Sequence, residues 1–178
     1  MSAIEAIKGT RDILPEEVGY WQRIEQVARD LLNRAAYREI RTPILNRPSC
    51  LLGNWRSHRC GGQEMYTFID KGERSVTLRP EGTAGVVRAY IENGLHVKGL
   101  QRLWYLGPMF RYENVQAGRQ RQFHQLGCEV LGSADPRADV EVIALAMDLL
   151  VGLGLKDLRL DLNSVGDPPT DSSIARRW

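Results

Sequence analysis

The sequence is poor in several things, and each shortage excludes something. Cysteine occurs three times, as Cys50, Cys60 and Cys128, an odd number without the spacing of a disulfide framework. Such usage points to a reducing compartment and away from a stapled, secreted fold. Cys50, His58 and Cys60 could suggest zinc, but zinc ligands come in closer pairs and a fourth is lacking, so no protein-held metal is expected. Charge of one sign is scarce as well: 24 Lys and Arg against 22 Asp and Glu leave a net +2. That is too little to argue for nucleic acid by itself, and an RNA partner would need a local basic patch or another region. No apolar run approaches the ~20 residues of a membrane span, and the N-terminus has no apolar signal segment. A soluble, cytoplasmic chain is the expectation. The length fits one domain, and 43% hydrophobic residues are enough for a core.

What is present reads as alternating helices and strands. Pro15, Glu16 and Glu17 open a helix, with Pro in the first turn and acids at the positive end of the dipole. Trp21, Ile24, Ala28, Leu31 and Ala35 recur at helical spacing as one apolar stripe. Arg38 to Thr42 is extended, and Pro43 ends it. Met65 to Ile69 and Ser75 to Leu78 flank the turn Asp70-Lys71-Gly72. Gly82 and Thr83 open a second helix, with Val86, Val87, Tyr90 and Ile91 inward. Glu81, just ahead of it, has the common role of an acid at a helix dipole. His96 follows in a helix-end loop and should lie at the surface. Asp135-Pro136 opens another helix, with Val142, Ala146, Leu149, Leu150 and Leu153 as its core stripe and Gly154 as its stop. Leu158, Leu160 and Leu162 alternate as a half-buried strand. The fold class is α/β (α+β), a mainly antiparallel sheet flanked by helices. No internal repeat or low-complexity segment interrupts it.

The chemistry concentrates between Pro108 and Glu129. Pro108-Met109-Phe110-Arg111-Tyr112-Glu113 is followed by a basic loop with Gly118 and Arg119, then by Arg121-Gln122-Phe123-His124-Gln125-Leu126-Gly127-Cys128-Glu129. Two extended runs around such a loop predict an antiparallel pair. Residues two apart share a face, so Arg111 joins Glu113, and Phe123 joins Gln125, Gly127 and Glu129. His124 alternates away from them. An Arg suits a phosphate oxygen, a Phe suits a flat base, and a carboxylate accepts from an amino group. An isolated Arg–Glu pair on a strand is usually a solvated face, and an isolated Phe is usually core. Together in one short segment they match a nucleotide plus a small cationic molecule.

This segment resembles motif 2 of the class II aminoacyl-tRNA synthetases. With Thr77-Leu78-Arg79-Pro80-Glu81-Gly82-Thr83, Lys8-Gly9-Thr10-Arg11-Asp12-Ile13-Leu14-Pro15 and Leu162-Asn163-Ser164-Val165-Gly166, it is similar to the histidyl-tRNA synthetase branch over most of residues 4–45 and 64–167. The resemblance implies a class II catalytic core, with the helix–strand–Pro43 unit as the dimer-forming motif 1. It implies histidine activation with ATP and Mg2+ and transfer to the cognate tRNA. Arg111 would bridge the histidine carboxylate and the α-phosphate as the catalytic residue. Glu113 would take the adenine amino group, Phe123 would stack on the ring, and Arg119 would engage phosphates or the tRNA end. Glu81, Thr83 and Gln125 would hold the α-amino group, Gly82 would belong to the same histidine site, and Glu129 would orient the imidazole. The alternatives are a non-catalytic relative, the synthetase-like regulatory subunit of ATP phosphoribosyltransferase, and a dimerisation fragment. Retention of Glu81, Arg111, Gln125 and Glu129 favours the enzyme lineage.

Two segments depart from the family pattern, at 46–63 and 170–178. Asn54 to Gln63, back-translated with suitable codons and read in the neighbouring frame, gives Ile-Gly-Glu-Ala-Thr-Asp-Val-Val-Gly, a family string. Asn46 to Gly53 hides Gln-Thr-Glu-Leu-Phe-Ala-Arg in the same way, and Thr170 to Trp178 hides Arg-Leu-Gln-Tyr-Arg-Gln-Ala-Leu. The expectation is a partial catalytic domain over 1–178, displaced in frame at both places. The later histidine-specific region, the motif 3 arginine and the anticodon-binding domain would then be absent. Residues 46–63, with Pro48 and Gly61-Gly62, are expected to be irregular.

Overall fold

A computed structural model describes residues 4–49 and 64–163. Helix α1 spans Pro15–Arg34, with Glu16 and Glu17 in its first turn and Arg34 in its last. Its charges thus complement the helix dipole at both ends. Ala28 and Leu32 are buried, whereas Ile24 of the expected stripe stays exposed. The two-residue strand β1 (Arg38–Glu39) runs parallel to β5 (Gln101–Phe110). β1 is shorter than its sequence suggests, although the Ile40 N–H still donates to the Trp104 carbonyl at 2.8 Å. β5 pairs antiparallel with β6 (Gln122–Leu131) over ten residue pairs, from Gln101↔Leu131 to Phe110↔Gln122. The first extended run therefore begins well before Pro108 and ends before Arg111.

A second, antiparallel sheet has the order β2 (Leu45–Asn46), β4 (Ser75–Leu78), β3 (Thr67–Ile69). Asp70 shapes the β3–β4 turn by accepting from the Gly72 N–H at 2.8 Å and the Arg74 N–H at 3.0 Å. Helix α2 covers Thr83–Glu92, and a 3-10 turn at Leu95–Lys98 leads into β5. Helix α3 covers Arg137–Gly152. Its buried residue is Leu145, while Ala146 of the predicted stripe is exposed. α3 is apolar on more than one side, so periodicity alone does not select the inner face.

Two further expectations need correction. Leu158, Leu160 and Leu162 form no strand, and Leu160 and Leu162 are exposed. Alternation supplies a strand's side chains but not its hydrogen-bonding partner, and none pairs with this segment among the described residues. The start of 46–63 is regular: Asn46 closes β2, and Pro48 and Ser49 are helical. Pro at the first turn of a helix costs no hydrogen bond. Residues 50–63 and 164–178 lie outside the described residues.

The core sits on both sides of the β5–β6 hairpin. Behind it Trp104 packs with Leu32 of α1, Leu145 of α3, and Tyr37 from the link between α1 and β1. Before it Leu103, Tyr105 and Met109 pack with Val86 of α2. Behind the hairpin, Glu141 of α3 accepts from Tyr37 at 2.8 Å and takes both ends of Arg102, at 2.7 and 2.9 Å. These bonds hold the Glu141 carboxyl down at about 2. His124 points backward, edge-on to Trp21 with ring centroids 4.7 Å apart. His96 is exposed beside Tyr90.

Candidate functional site

The front face of the hairpin is set by register. Tyr105, Gly107 and Met109 lie opposite Gly127, Gln125 and Phe123, and Glu129 lies opposite Leu103. The segment from Pro80 to Thr83, which leads from β4 into α2, lies against this row. Gln125 Oε1 accepts the Gly82 N–H at 3.1 Å, and Glu129 Oε1 accepts the Thr83 hydroxyl at 2.7 Å. From the end of β5, Arg111 Nε donates to the Pro80 carbonyl at 2.8 Å. Three side chains from separate points of the hairpin thus grip one short segment, Arg111 and Gln125 by its backbone and Glu129 by the Thr83 hydroxyl.

Glu81 lies in that stretch and caps α2. Its carboxylate accepts the Thr83 N–H at 2.7 Å and the Ala84 N–H at 2.8 Å, which satisfies donors the helix leaves unpaired. Burial pushes the Glu129 carboxyl above its usual range; the Thr83 bond opposes this and the charge of Glu81 adds to it. An acidic, half-desolvated corner results, suited to a cation or a ring N–H donor.

Beyond Phe110 the ladder frays. The Arg111 N–H still donates to Arg121 at 2.9 Å, but the Tyr112 N–H goes to Glu64 at 2.8 Å. Arg111 and Glu113 therefore do not lie in the strand as their spacing suggested. Their charged ends still meet, 3.6 Å apart, and Arg119 approaches Glu113 at 3.8 Å. The Arg111 guanidinium lies over Phe123, 5.0 Å from the ring centroid. This end is a cationic corner with an aromatic platform, matched to an anion and a flat ring. The opening string is tied to it: the Gly9 carbonyl accepts from the Arg121 N–H at 2.7 Å and the Gln122 N–H at 3.2 Å. A Cβ on Gly9 would come under 3.0 Å from Arg121, and its φ of +86° also favours glycine.

Residues 9–166 match the family described as histidyl-tRNA synthetase. This chain belongs to that family. It is 64% identical over 169 residues to the histidine–tRNA ligase of Rippkaea orientalis, covering 94% of this chain and 39% of the relative. It is 66% identical over 166 residues to that of Thermosynechococcus vestitus, covering 92% and 39%. The chain therefore spans about two-fifths of the length of these relatives. Among solved structures, apo Staphylococcus aureus histidyl-tRNA synthetase superposes with a TM-score of 0.73 at 44% identity, over 86% of this chain and 36% of that one. An ATP phosphoribosyltransferase regulatory subunit/histidyl-tRNA synthetase from Bacillus halodurans gives 0.75 at 26% identity, over 88% and 40%. Superposition alone does not separate the two kinds of relative. Sequence identity does, on the side of the ligases.

Within this synthetase framework, Glu81, Gly82, Thr83, Arg111, Glu113, Phe123, Gln125 and Glu129 all sit along the front of the hairpin. Arg119 reaches it from an exposed loop. Two residues beneath the site escaped the sequence reading. Arg79 is buried and gives its guanidinium to the carbonyls of Pro108 and Thr42, both at 2.9 Å. Tyr105 lies under the Gly82–Thr83 step. The signal for Tyr105 was its alternation with Gly107 once β5 is started at Gln101.

Proposed function

We propose that the front of the β5–β6 hairpin binds histidine and ATP and serves the synthesis of histidyl-adenylate, followed by transfer of histidine to its tRNA. The observation that carries this reading is the convergence of Arg111, Gln125 and Glu129 on Pro80–Thr83. It sets an acidic corner beside a cationic one, as an amino acid being joined to a phosphate requires. In the reaction the histidine carboxylate attacks the α-phosphate and pyrophosphate leaves. Orientation and charge neutralisation carry such a step. Arg111 bridges the carboxylate and the α-phosphate. Phe123 offers its ring to adenine, and Glu113 accepts from the adenine amino group after exchanging its arginine partners. Glu81, Thr83 and Gln125 surround the α-amino group, and Glu129 accepts from the imidazole. Arg119 meets phosphates or the tRNA end. Mg2+ enters with ATP as part of the substrate.

Two copies would pair through α1 and β1, a reading supported by the exposed Ile7, Leu14 and Tyr20 near the start of the chain. Among the described residues no helix is long and apolar enough to cross a membrane, which is compatible with work in the cytoplasm. Calorimetric titration tests the reading. L-histidine and ATP–Mg2+ should each bind this chain, and Arg111→Ala should weaken ATP at least about tenfold, the loss of one charge-assisted contact. Absence of any histidine binding would sink it.

A further inference from the structure

Past Phe110 the strand pairing of β5 with β6 stops, yet Arg111, Tyr112 and Glu113 remain tied. A single residue touches all three. The Arg121 carbonyl accepts the Arg111 N–H at 2.9 Å, and the Arg121 guanidinium lies over the Tyr112 ring, 4.3 Å from its centroid. Its Nε donates to the Glu113 carbonyl at 3.3 Å. Arg121 is seated in turn on the opening string, where its N–H donates to the Gly9 carbonyl at 2.7 Å. The seat has no spare room. A Cβ on Gly9 would lie 2.7 Å from Cγ of Arg121 and 2.8 Å from Cγ2 of Val115. Gly9 thus lies against both limbs of the loop that carries Arg119, Val115 on the outgoing limb and Arg121 on the returning one.

We propose that Arg121, seated on Gly9, is a positioning residue for adenine recognition: it replaces the lost ladder and fixes the Glu113 backbone beside the Phe123 platform. The inference rests on the reading of Glu113 as acceptor of the adenine amino group. The Glu113 carboxylate meets Arg111 at 3.6 Å, and the Arg111 guanidinium covers Phe123 at 5.0 Å. Glu113 serves adenine only if it keeps this place once its arginine partners turn to ATP. Something other than those side-chain pairs must therefore hold it. Arg121 does so through the Glu113 carbonyl and the neighbouring ring, which leaves the carboxylate free. An arginine suits this task and a lysine does not, because a flat guanidinium stacks on a ring while its Nε donates in the plane. Through Gly9 the opening string, distant in sequence, becomes part of the nucleotide site.

Inosine triphosphate, with a carbonyl in place of the adenine amino group, is the probe. In calorimetric titration the wild-type chain should prefer ATP, since Glu113 has nothing to accept from the inosine carbonyl. Arg121→Met and Arg121→Lys should each lower ATP affinity about tenfold, the scale of one hydrogen bond to a charged group. Inosine triphosphate and L-histidine should bind as before. Gly9→Ala should erode the same preference. Equal losses for both nucleotides in Arg121→Met overturn the inference: rescue by lysine marks a phosphate contact, and concurrent loss of histidine marks a merely structural role. An ATP preference that survives in the Arg121 variants overturns it as well, and one that survives Gly9→Ala strikes the opening string from it. A wild-type chain that binds both nucleotides equally overturns the reading of Glu113, and this inference with it, while histidine binding still judges the rest of the site.

Discussion

The two faces of the β5–β6 hairpin use the same strands for opposite purposes. On the back, Trp104, Leu106, Leu126, Cys128 and Val130 meet the helix layer side chain to side chain. On the front, glycine stands at 107 and 127, and each vacancy seats a side chain from elsewhere: Arg79 against Gly107, Tyr105 against Gly127. The carboxylates differ in the same sense. Glu141 on the back is paired and hydrogen-bonded, so its charge favours folding. Glu129 on the front is half-desolvated beside another acid, so its charge opposes folding. One face accumulates stability, and the other gives some up to keep unspent charge where a ligand can use it.

The strongest test of that contrast is to hollow out the back. Trp104→Ala should cost about 3–5 kcal/mol, the range for truncating a fully buried aromatic; Trp104 is 0% exposed. Urea denaturation measures it, and a loss under about 1 kcal/mol would mean the back face is not the stabilising one. Next comes overfilling the front. Gly127→Ala should cost about 1–3 kcal/mol as the Tyr105 ring is displaced. It should abolish histidine binding, a joint loss that no back-face change of equal cost should produce.

The smallest effects, and the most diagnostic, are those of the two acids. The folded Glu141 carboxyl lies well below its ordinary value, so its contribution is present above pH 4.5 and is lost as pH falls toward about 2. Glu141→Gln should remove that dependence and cost about 1 kcal/mol at neutral pH after allowance for solvent screening. Glu129 has the opposite sign. Its folded carboxyl is raised, so its contribution is present below the unfolded pKa and is lost as pH rises through the folded one. Glu129→Gln should leave neutral-pH stability unchanged or slightly higher while removing histidine affinity. Equal pH slopes for the two variants would erase the distinction between the faces.

How legible each face was follows from the kind of information it needs. Alternation alone separated His124 from Phe123 and Gln125, and the structure puts His124 on Trp21. Pro15 with its two acids marked α1 correctly, because a helix start is a local matter. What failed was non-local. Leu158, Leu160 and Leu162 have a strand's pattern without a paired neighbour, and α3 buries Leu145 because of where α1 lies, not because of its own period. In the site, the family strings pointed to Glu81, Arg111, Gln125 and Glu129, but not to the ring beneath them. Tyr105 matters through glycines 23 residues before it and 22 after it, distances at which sequence spacing carries no geometry.

Arg79 gives the molecule a further property. Among the described strands, no ladder joins the sheet of β1, β5 and β6 to that of β2, β4 and β3. Arg79 spans the gap: its N–H donates to Ile44 at 2.9 Å, its carbonyl accepts from Phe110 at 2.9 Å, and its guanidinium holds Pro108 and Thr42. Opening the small sheet alone would strip a buried cation of its acceptors. Partial opening is therefore disfavoured, and amide protons of both sheets should exchange with solvent in a single cooperative event.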